Sequence, residues 1–230
     1  MFHEFTIIDN FDLKSKFRKF KNKYIQLMGL ATKRTYDIVL AFLGLVIALP
    51  VFAIIAVLVA LDGGPVLYSH QRIGKNGRSF GCLKFRTMIL GAQDCLEEYL
   101  TYNPDERQEW EQHQKLIFDP RTTAIGQFLR KTSLDELPQL FNVLVGDMSF
   151  VGPRPVTEGE LLHFYGRKAR FYTSVRPGIT GPWQISGRNE IGYRQRVLLD
   201  TRYAIRHSLI NDLVILMRTP AAILSGRGAR

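Results

Sequence analysis

Residues 38–61 read IVLAFLGLVIALPVFAIIAVLVAL, 24 residues without a charge, bounded by Asp37 and Asp62. A bilayer span needs about 20 apolar residues, so the run is long enough to cross. It starts too far into the chain and runs too long for a signal peptide. Pro50 divides it into halves of 12 residues. Proline removes a backbone donor and clashes with the preceding turn, so a kink is expected there. Each half is only ~18 Å long at 1.5 Å per residue, too short to cross ~30 Å of hydrocarbon by itself. The flanks bear on topology. Six Lys/Arg (Arg18, Lys19, Lys21, Lys23, Lys33, Arg34) lie in the 20 residues before Ile38, and Arg72, Lys75 and Arg78 lie in the 20 after Leu61. Positive charge on both sides favours a bent segment that enters and leaves by one face, against a kinked single span.

Outward from this segment, residues 14–34 hold eight Lys/Arg and no acid, with Leu13, Phe17, Phe20, Tyr24, Leu27 and Met28 at helical spacing. That is a basic amphipathic helix suited to an anionic membrane surface. The whole chain carries 31 Lys+Arg against 21 Asp+Glu, a formal charge of +10, so a negatively charged partner is expected. Hydrophobic content of 46% excludes a disordered polymer. Cys82 and Cys95 build no disulfide framework, and the scattered histidines form no zinc motif. Neither a Walker-type phosphate loop nor a GxGxxG stretch is present.

After Asp62, Val66–Ile73 and Ser79–Phe85 read as strands joined at Gly74-Lys75-Asn76-Gly77, a hairpin leading into Lys84-Phe85-Arg86-Thr87-Met88. Residues 91–119 carry eight acids and two bases and read as one or two solvated helices without chemistry of their own. Helices are expected over Thr123–Lys131, Glu136–Val145, Glu158–Ser174, Ile191–Arg206 and Asn211–Arg218. Gly146–Pro155 and Arg176–Arg188 are loops dense in Gly, Pro and Arg. Arg154 stands between two prolines, on a backbone stiff enough to aim a guanidinium at phosphate, and Trp183 offers a stacking face.

Thr132-Ser133-Leu134-Asp135-Glu136-Leu137-Pro138 opens a helix in one of two registers. Ser133 and Glu136 have capping-box spacing, while Pro138 suits a first turn capped by Asp135. Either places Asp135 at the positive end of a helix dipole. Arg130 and Lys131 precede the pair closely. A carboxylate among arginines suggests phosphoryl transfer, in which cations offset the repulsion between nucleophile and phosphate. Mg²⁺, which takes one or two carboxylates plus substrate phosphates, suits so sparse a ligand set.

The ordered motifs resemble those of monotopic phosphoglycosyl transferases of the bacterial sugar transferase family. The matching stretches are Lys33-Arg34-x-x-Asp37, Gly64-Pro65-Val66, Gln71-Arg72-x-Gly74, Lys84–Met88, Asp119-Pro120-Arg121, LRKTSLDELPQ (129–139), Asn142–Pro155, Pro177–Arg188 and Gly226–Ala229. The resemblance implies transfer of a sugar-1-phosphate from a UDP-sugar to undecaprenyl phosphate, with release of UMP, at the start of exopolysaccharide or other surface-glycan assembly. It implies Asp135 as nucleophile and Mg²⁺ ligand, Glu136 as its partner, and Lys84, Arg86, Arg130, Arg154, Gln184 and Arg188 around substrate and phosphate. It also implies a re-entrant membrane helix broken at a Ser-Pro pair; here the pair is Leu49-Pro50, without the serine hydroxyl.

The expected fold is therefore α+β and mostly helical. A basic arm (1–36), a re-entrant Pro-kinked membrane helix (37–62) and a cytosolic catalytic domain (63–230) with interfacial helices and a small β-hairpin lie on the cytoplasmic face of the bacterial inner membrane. The expected partners are a UDP-sugar (galactose or glucose), a polyprenol phosphate and an anionic membrane surface; a homodimer is compatible with the sequence. A membrane-tethered nucleic-acid-binding module and a non-catalytic scaffold are the rival readings. The first is opposed by the absence of any nucleic-acid-binding motif, the second by the gathering of Arg130, Asp135 and Arg154 near stiff loops.

Overall fold

The structure, a computed structural model, describes residues 5–113, 116 and 118–225, with the side chains of 31–108, 110, 111, 116 and 118–225. The amphipathic face expected before residue 31 and the terminal Gly226–Ala229 motif lie outside those described side chains and residues. Helix α1 runs Phe5–Ala60 and carries Pro50 inside it. No break separates the arm from the apolar segment; the boundary at 36/37 falls within one helix. Asp37, Ala41, Ile55 and Val59 form the buried stripe of α1, while Ile47 and Leu49 beside Pro50 are strongly exposed.

Both ends of the apolar stretch are fastened to the same domain. At the first end, Lys33 Nζ donates to Asp212 Oδ2 at 2.6 Å and to the Val151 carbonyl at 3.1 Å. Asp37 Oδ1 accepts from Ser149 Oγ and the Phe150 N–H, each at 3.0 Å. At the second end, Arg86 binds Asp62 through both terminal nitrogens and donates to the carbonyls of Val59, Pro65 and Met88. The Val59 carbonyl is one of the last in the helix, where the backbone lacks internal donors, so Arg86 caps α1.

Strands β1 (Leu67–Ile73) and β2 (Ser79–Phe85) pair antiparallel, Leu67 opposite Phe85 and Ile73 opposite Ser79. Asn76 and Gly77 take the positive φ that the turn requires, as the Asn-Gly signal predicts. Helices α2 (Ala92–Tyr102) and α3 (Pro104–His113) form the acidic excursion, tied by Tyr99 Oη donating to Glu106 at 2.8 Å. Helices α4 (Ala124–Thr132) and α5 (Gln139–Val145) follow.

A second sheet was not expected from sequence. β3 (Ser149–Val151) and β4 (Gly178–Thr180) pair in parallel, laying the two Gly/Pro/Arg loops side by side. A Cβ on Gly181 would stand 1.9 Å from the Gly152 carbonyl oxygen, so the loops meet backbone to backbone, an approach only glycine permits. The helix expected over Glu158–Ser174 is broken into α6 (Glu158–Glu160), a wider turn over Leu161–Tyr165 and α7 (Ala169–Tyr172), with Gly166 at positive φ between them. Helices α8 (Pro182–Ile185), α9 (Tyr193–Arg206) and α10 (Leu209–Leu224) complete the domain. Tyr203 of α9 donates to Asp212 of α10 at 2.7 Å, and Tyr36 of α1 donates to the same carboxylate. One buried carboxylate thus joins α1, just before its apolar stretch, to the last two helices.

Candidate active site

Helix α4 ends at Ser133, whose φ of 59° reverses the chain and whose N–H returns to the Arg130 carbonyl at 3.2 Å. The chain restarts as a 3₁₀ turn, Leu134–Glu136. Residues three apart eclipse in such a turn, so Leu134 and Leu137 share a face and pack with Phe85 and Leu129. Asp135 and Glu136 are thereby turned the other way. This corrects both capping registers expected from sequence. Ser133 caps nothing through its side chain, and Pro138 precedes the first residue of α5, leaving Asp135 short of that helix. The half-buried leucines pack against Phe85 and Leu129 in place of either cap.

Lys84 meets the carboxylates from the hairpin. It alternates with Phe85, which is buried on the core side. Asn142 of α5 fixes the register: its Oδ1 accepts from the Leu83 N–H at 2.9 Å and its Nδ2 donates to the Gly81 carbonyl at 2.8 Å. Lys84 Nζ then lies 2.7 Å from Glu136 Oε1 and 3.3 Å from Asp135 Oδ2. Arg154 Nη1 reaches the same Glu136 oxygen at 3.5 Å. Burial alone would raise the Glu136 carboxyl, but Lys84, Arg154 and Arg188 outweigh it and hold it down to about 2. Asp135 goes the other way. Burial pushes its carboxyl up and Glu136 adds repulsion, against the opposing pull of Lys84 and Arg130.

Arg130 approaches from α4. Its Nε donates to Thr87 Oγ1 at 2.9 Å and its Nη1 to Thr122 Oγ1 at 3.3 Å. A Cβ on Gly126 would fall 2.1 Å from the Thr87 carbonyl oxygen, so this glycine lets α4 come close enough for the contact. Arg154 lies over the Trp183 ring, 5.3 Å from its centre, in keeping with the stacking face read from sequence. Arg188 sits at φ 53°, directly after Gly187 at φ 114°, and is influenced electrostatically by Arg154 and Glu136. Gln184 is buried beside Trp183.

Arg86 is the exception among the expected phosphate ligands. Arginine has five N–H donors, and Arg86 commits all five to Asp62 and three carbonyls. In this structure it fastens the end of α1. Pro50 lies on the exposed stretch of α1, away from the dyad.

Arg196 was not anticipated. It lies over the same Trp183 ring at 4.9 Å, donates to the Arg154 carbonyl at 3.5 Å and faces Glu160 at 3.9 Å. Its only sequence signal was position on a helix after an aromatic loop. Asp119 was read as part of a solvated acidic run; instead it pairs with Arg121 at 2.7 Å and favours the charged form of Arg130.

Among the described residues, no three His, Cys, Asp or Glu converge as a metal cage. The Asp135–Glu136 pair fits only a hard cation that completes its shell with water and substrate phosphate. Four cationic side chains (Lys84, Arg130, Arg154, Arg188) surround two carboxylates, an excess of positive charge suited to a diphosphate.

A family model described as bacterial sugar transferase matches residues 28–226. The chain is 50% identical over 203 residues to the exopolysaccharide production protein ExoY of Rhizobium meliloti, covering 88% of this chain and 89% of that protein. It is 49% identical over 197 residues to the undecaprenyl-phosphate galactose phosphotransferase of Salmonella typhimurium, and 48% identical over 197 residues to the UDP-galactose-lipid carrier transferase of Erwinia amylovora. Each of those two alignments covers 86% of this chain but 41% of the relative. A buried carboxylate pair ringed by cations, on a domain grasping an apolar helix, thus occurs in a chain that belongs to the bacterial sugar transferase family.

Proposed function

We propose that this protein moves a hexose-1-phosphate, galactose or glucose, from a UDP-sugar to undecaprenyl phosphate, in the first step of exopolysaccharide assembly. The observation that carries this reading is the buried Asp135–Glu136 pair held against Lys84 and Arg154. An Asp135 oxygen attacks the phosphorus that bears the sugar, the bond to the bridging oxygen breaks, and UMP leaves with that oxygen. In the second step an oxygen of undecaprenyl phosphate attacks the same phosphorus and displaces the Asp135 carboxylate, giving the lipid diphosphate sugar. Lys84 and Arg154 lower the charge repulsion of both attacks, and Glu136 holds those cations in place. Asp135 and the substrate phosphates would hold Mg²⁺, which would supply further charge neutralisation.

The membrane arrangement belongs to the same proposal. A helix crossing the bilayer would carry Lys33 and Asp62 to opposite faces, about 44 Å apart if straight. Their ties to one domain support a segment that enters and leaves by the cytoplasmic face, with Ile47, Leu49 and Pro50 deepest. Labelling of cysteines placed at Lys33 and Lys75 tests this; opposite accessibility would establish a span.

For the chemistry, purified protein, Mg²⁺ and undecaprenyl phosphate are mixed with UDP-galactose, UDP-glucose or an N-acetylated UDP-sugar, and UMP is measured. With acceptor withheld, a labelled sugar phosphate remains on the wild-type protein and is missing from Asp135→Asn. Turnover that requires donor and acceptor together, with no adduct under any condition, overturns the two-step reading.

A further inference from the structure

A cavity of about 30 Å³ lies beside the start of the apolar stretch of α1, lined among others by Lys33, Arg34, Asp37, Lys75, Arg176 and His207. No residue of the dyad cluster lines it. Four separate segments bring its cations together. Lys33 and Arg34 come from α1, Lys75 from the hairpin turn, Arg176 from the loop before β4, and His207 from the junction of α9 and α10. The Asn76 N–H donates to the Thr173 carbonyl at 2.7 Å, which docks the hairpin tip on the segment that carries Arg176.

Local structure accounts for part of this gathering. Arg34 donates to the Val143 and Leu144 carbonyls at 2.6 and 2.9 Å, and Arg176 Nε donates to the Gly146 carbonyl at 2.6 Å. Both thereby cap the C-terminal end of α5, where positive charge is favoured. Lys33 is matched by Asp212 at 2.6 Å. The rest is unmatched. Among the described residues, Arg34, Lys75 and Arg176 have no carboxylate within ion-pair distance, and Lys75 makes no hydrogen bond. The buried Asp37 carboxylate favours the charged Arg34 but is one negative charge beside three positive ones. Burial and the neighbouring Arg176 both lower the pKa of Arg34 and of Lys75, as expected of like charges crowded together.

Capping uses two of the five N–H groups of Arg34 and one of those of Arg176, so both guanidiniums keep donors to give. Two forked guanidiniums and a lysine are the donor set that phosphate takes, through paired oxygens and a point charge. The cavity has room for about two oxygen-sized groups, enough for phosphate oxygens and too small for a base or a sugar ring. We propose that this cavity binds a phosphate group, apart from the Asp135–Glu136 site, through Arg34, Lys75 and Arg176. A bound phosphate would tie α1, the hairpin tip and the loop before β4 together at the first end of the apolar stretch. Its place just before Ile38 makes a phospholipid headgroup one source, a step that rests on the membrane arrangement proposed above; free phosphate is the other.

The test is thermal melting of the full chain in a neutral detergent with sodium phosphate, against sodium chloride and sodium acetate at equal ionic strength. A second arm uses nanodiscs of phosphatidylcholine with and without phosphatidylglycerol. Phosphate should raise the wild-type melting temperature by about 3 °C beyond both control salts. Lys75→Gln should lose most of that rise, and Arg78→Gln, an exposed cation of the same turn, should lose none. Lys75→Glu supplies the missing negative charge from within, so it should melt above wild type in chloride and gain nothing from phosphate. A Lys75-dependent rise with phosphatidylglycerol as well identifies the source as lipid. A rise with inorganic phosphate alone upholds the site with free phosphate as its ligand, and leaves the membrane arrangement to the labelling at Lys33 and Lys75. An equal rise in acetate overturns the proposal, as does one that survives Lys75→Gln, the mark of general salt exclusion. Equal loss in Arg78→Gln would reduce the effect to diffuse surface charge, and loss in Lys84→Gln alone would move it to the dyad; either result also overturns the proposal.

Discussion

Two clusters of buried charge share Trp183 and differ in what surrounds them. Lys84, Asp135, Glu136 and Arg154 form one; Glu160, Arg196, Asp200 and the hydroxyls of Tyr165 and Tyr193 form the other. In the first, the Lys84 and Arg154 side chains keep 25% and 33% of their surface exposed. In the second, those of Arg196 and Asp200 keep 7% and 0%. The same residue types thus form an accessible candidate site in one place and a closed knot in the other. Access to the cations separates them, not charge. The acid–base behaviour separates as well. Glu136 is held down to about 2, whereas burial pushes Asp200 up to about 6 against the pull of Tyr165 and Arg196.

The strongest way to break this comparison is Asp135→Asn, which should lower turnover at least about 10⁴-fold, with membrane association and melting temperature unchanged. UMP release and a detergent melt measure the two halves. Retained activity would place Asp135 among the structural charges.

Asp200→Asn probes the closed cluster through pH. Between about pH 4 and 6 folded Asp200 keeps a proton that the unfolded chain has released, so stability falls as pH rises through this window and levels off above it. The variant should flatten that limb, by on the order of 3 kcal/mol. Glu136 contributes with the opposite sign: its stabilisation is complete above about pH 4.5 and is lost as pH falls toward 2. Denaturant titrations of Asp200→Asn and Glu136→Gln across pH 3–7 give both slopes; slopes of equal sign would erase the distinction.

Arg86 sharpens the comparison because its motif suggests the open kind and its bonds the closed kind. Arg86→Ala should destabilise the protein by about 2 kcal/mol, a value reduced by the partial exposure of Asp62, and Arg86→Lys should restore little because lysine lacks the planar fork. A large rise in donor KM at unchanged stability would return Arg86 to the substrate.

The smallest effect belongs to Arg196→Lys. Lysine keeps the charge but stacks less well on Trp183, so Arg154 loosens and kcat/KM falls by roughly fivefold, about 1 kcal/mol, with donor KM affected more than kcat. A drop in melting temperature alone would confine Arg196 to the knot.

Much of this site was legible in the residues. The apolar run, the Asn-Gly hairpin and the Asp135–Glu136 pair with Lys84, Arg130 and Arg154 depend on local pattern or on motifs short enough to read. Arg86 stands apart because a motif lists side chains without saying what each meets in the folded chain. Strand alternation sends Lys84 to the dyad, and Arg86, just past the end of β2, turns instead to the end of α1. Arg196 was passed over because its partners, Trp183, Glu160 and the Arg154 carbonyl, lie 13 or more residues away along the chain.

From its sequence alone this protein has an apolar segment long enough to enter a membrane, a positive charge and a carboxylate pair beside arginines, since hydropathy, net charge and residue identity survive in any conformation. Only tertiary structure decides which arginine stays uncommitted, that two loops join as a parallel pair through glycine, and that Asp135 lies in a 3₁₀ turn and not at a helix cap. Those outcomes depend on where side chains from distant segments are buried, and burial is a property of the packed whole.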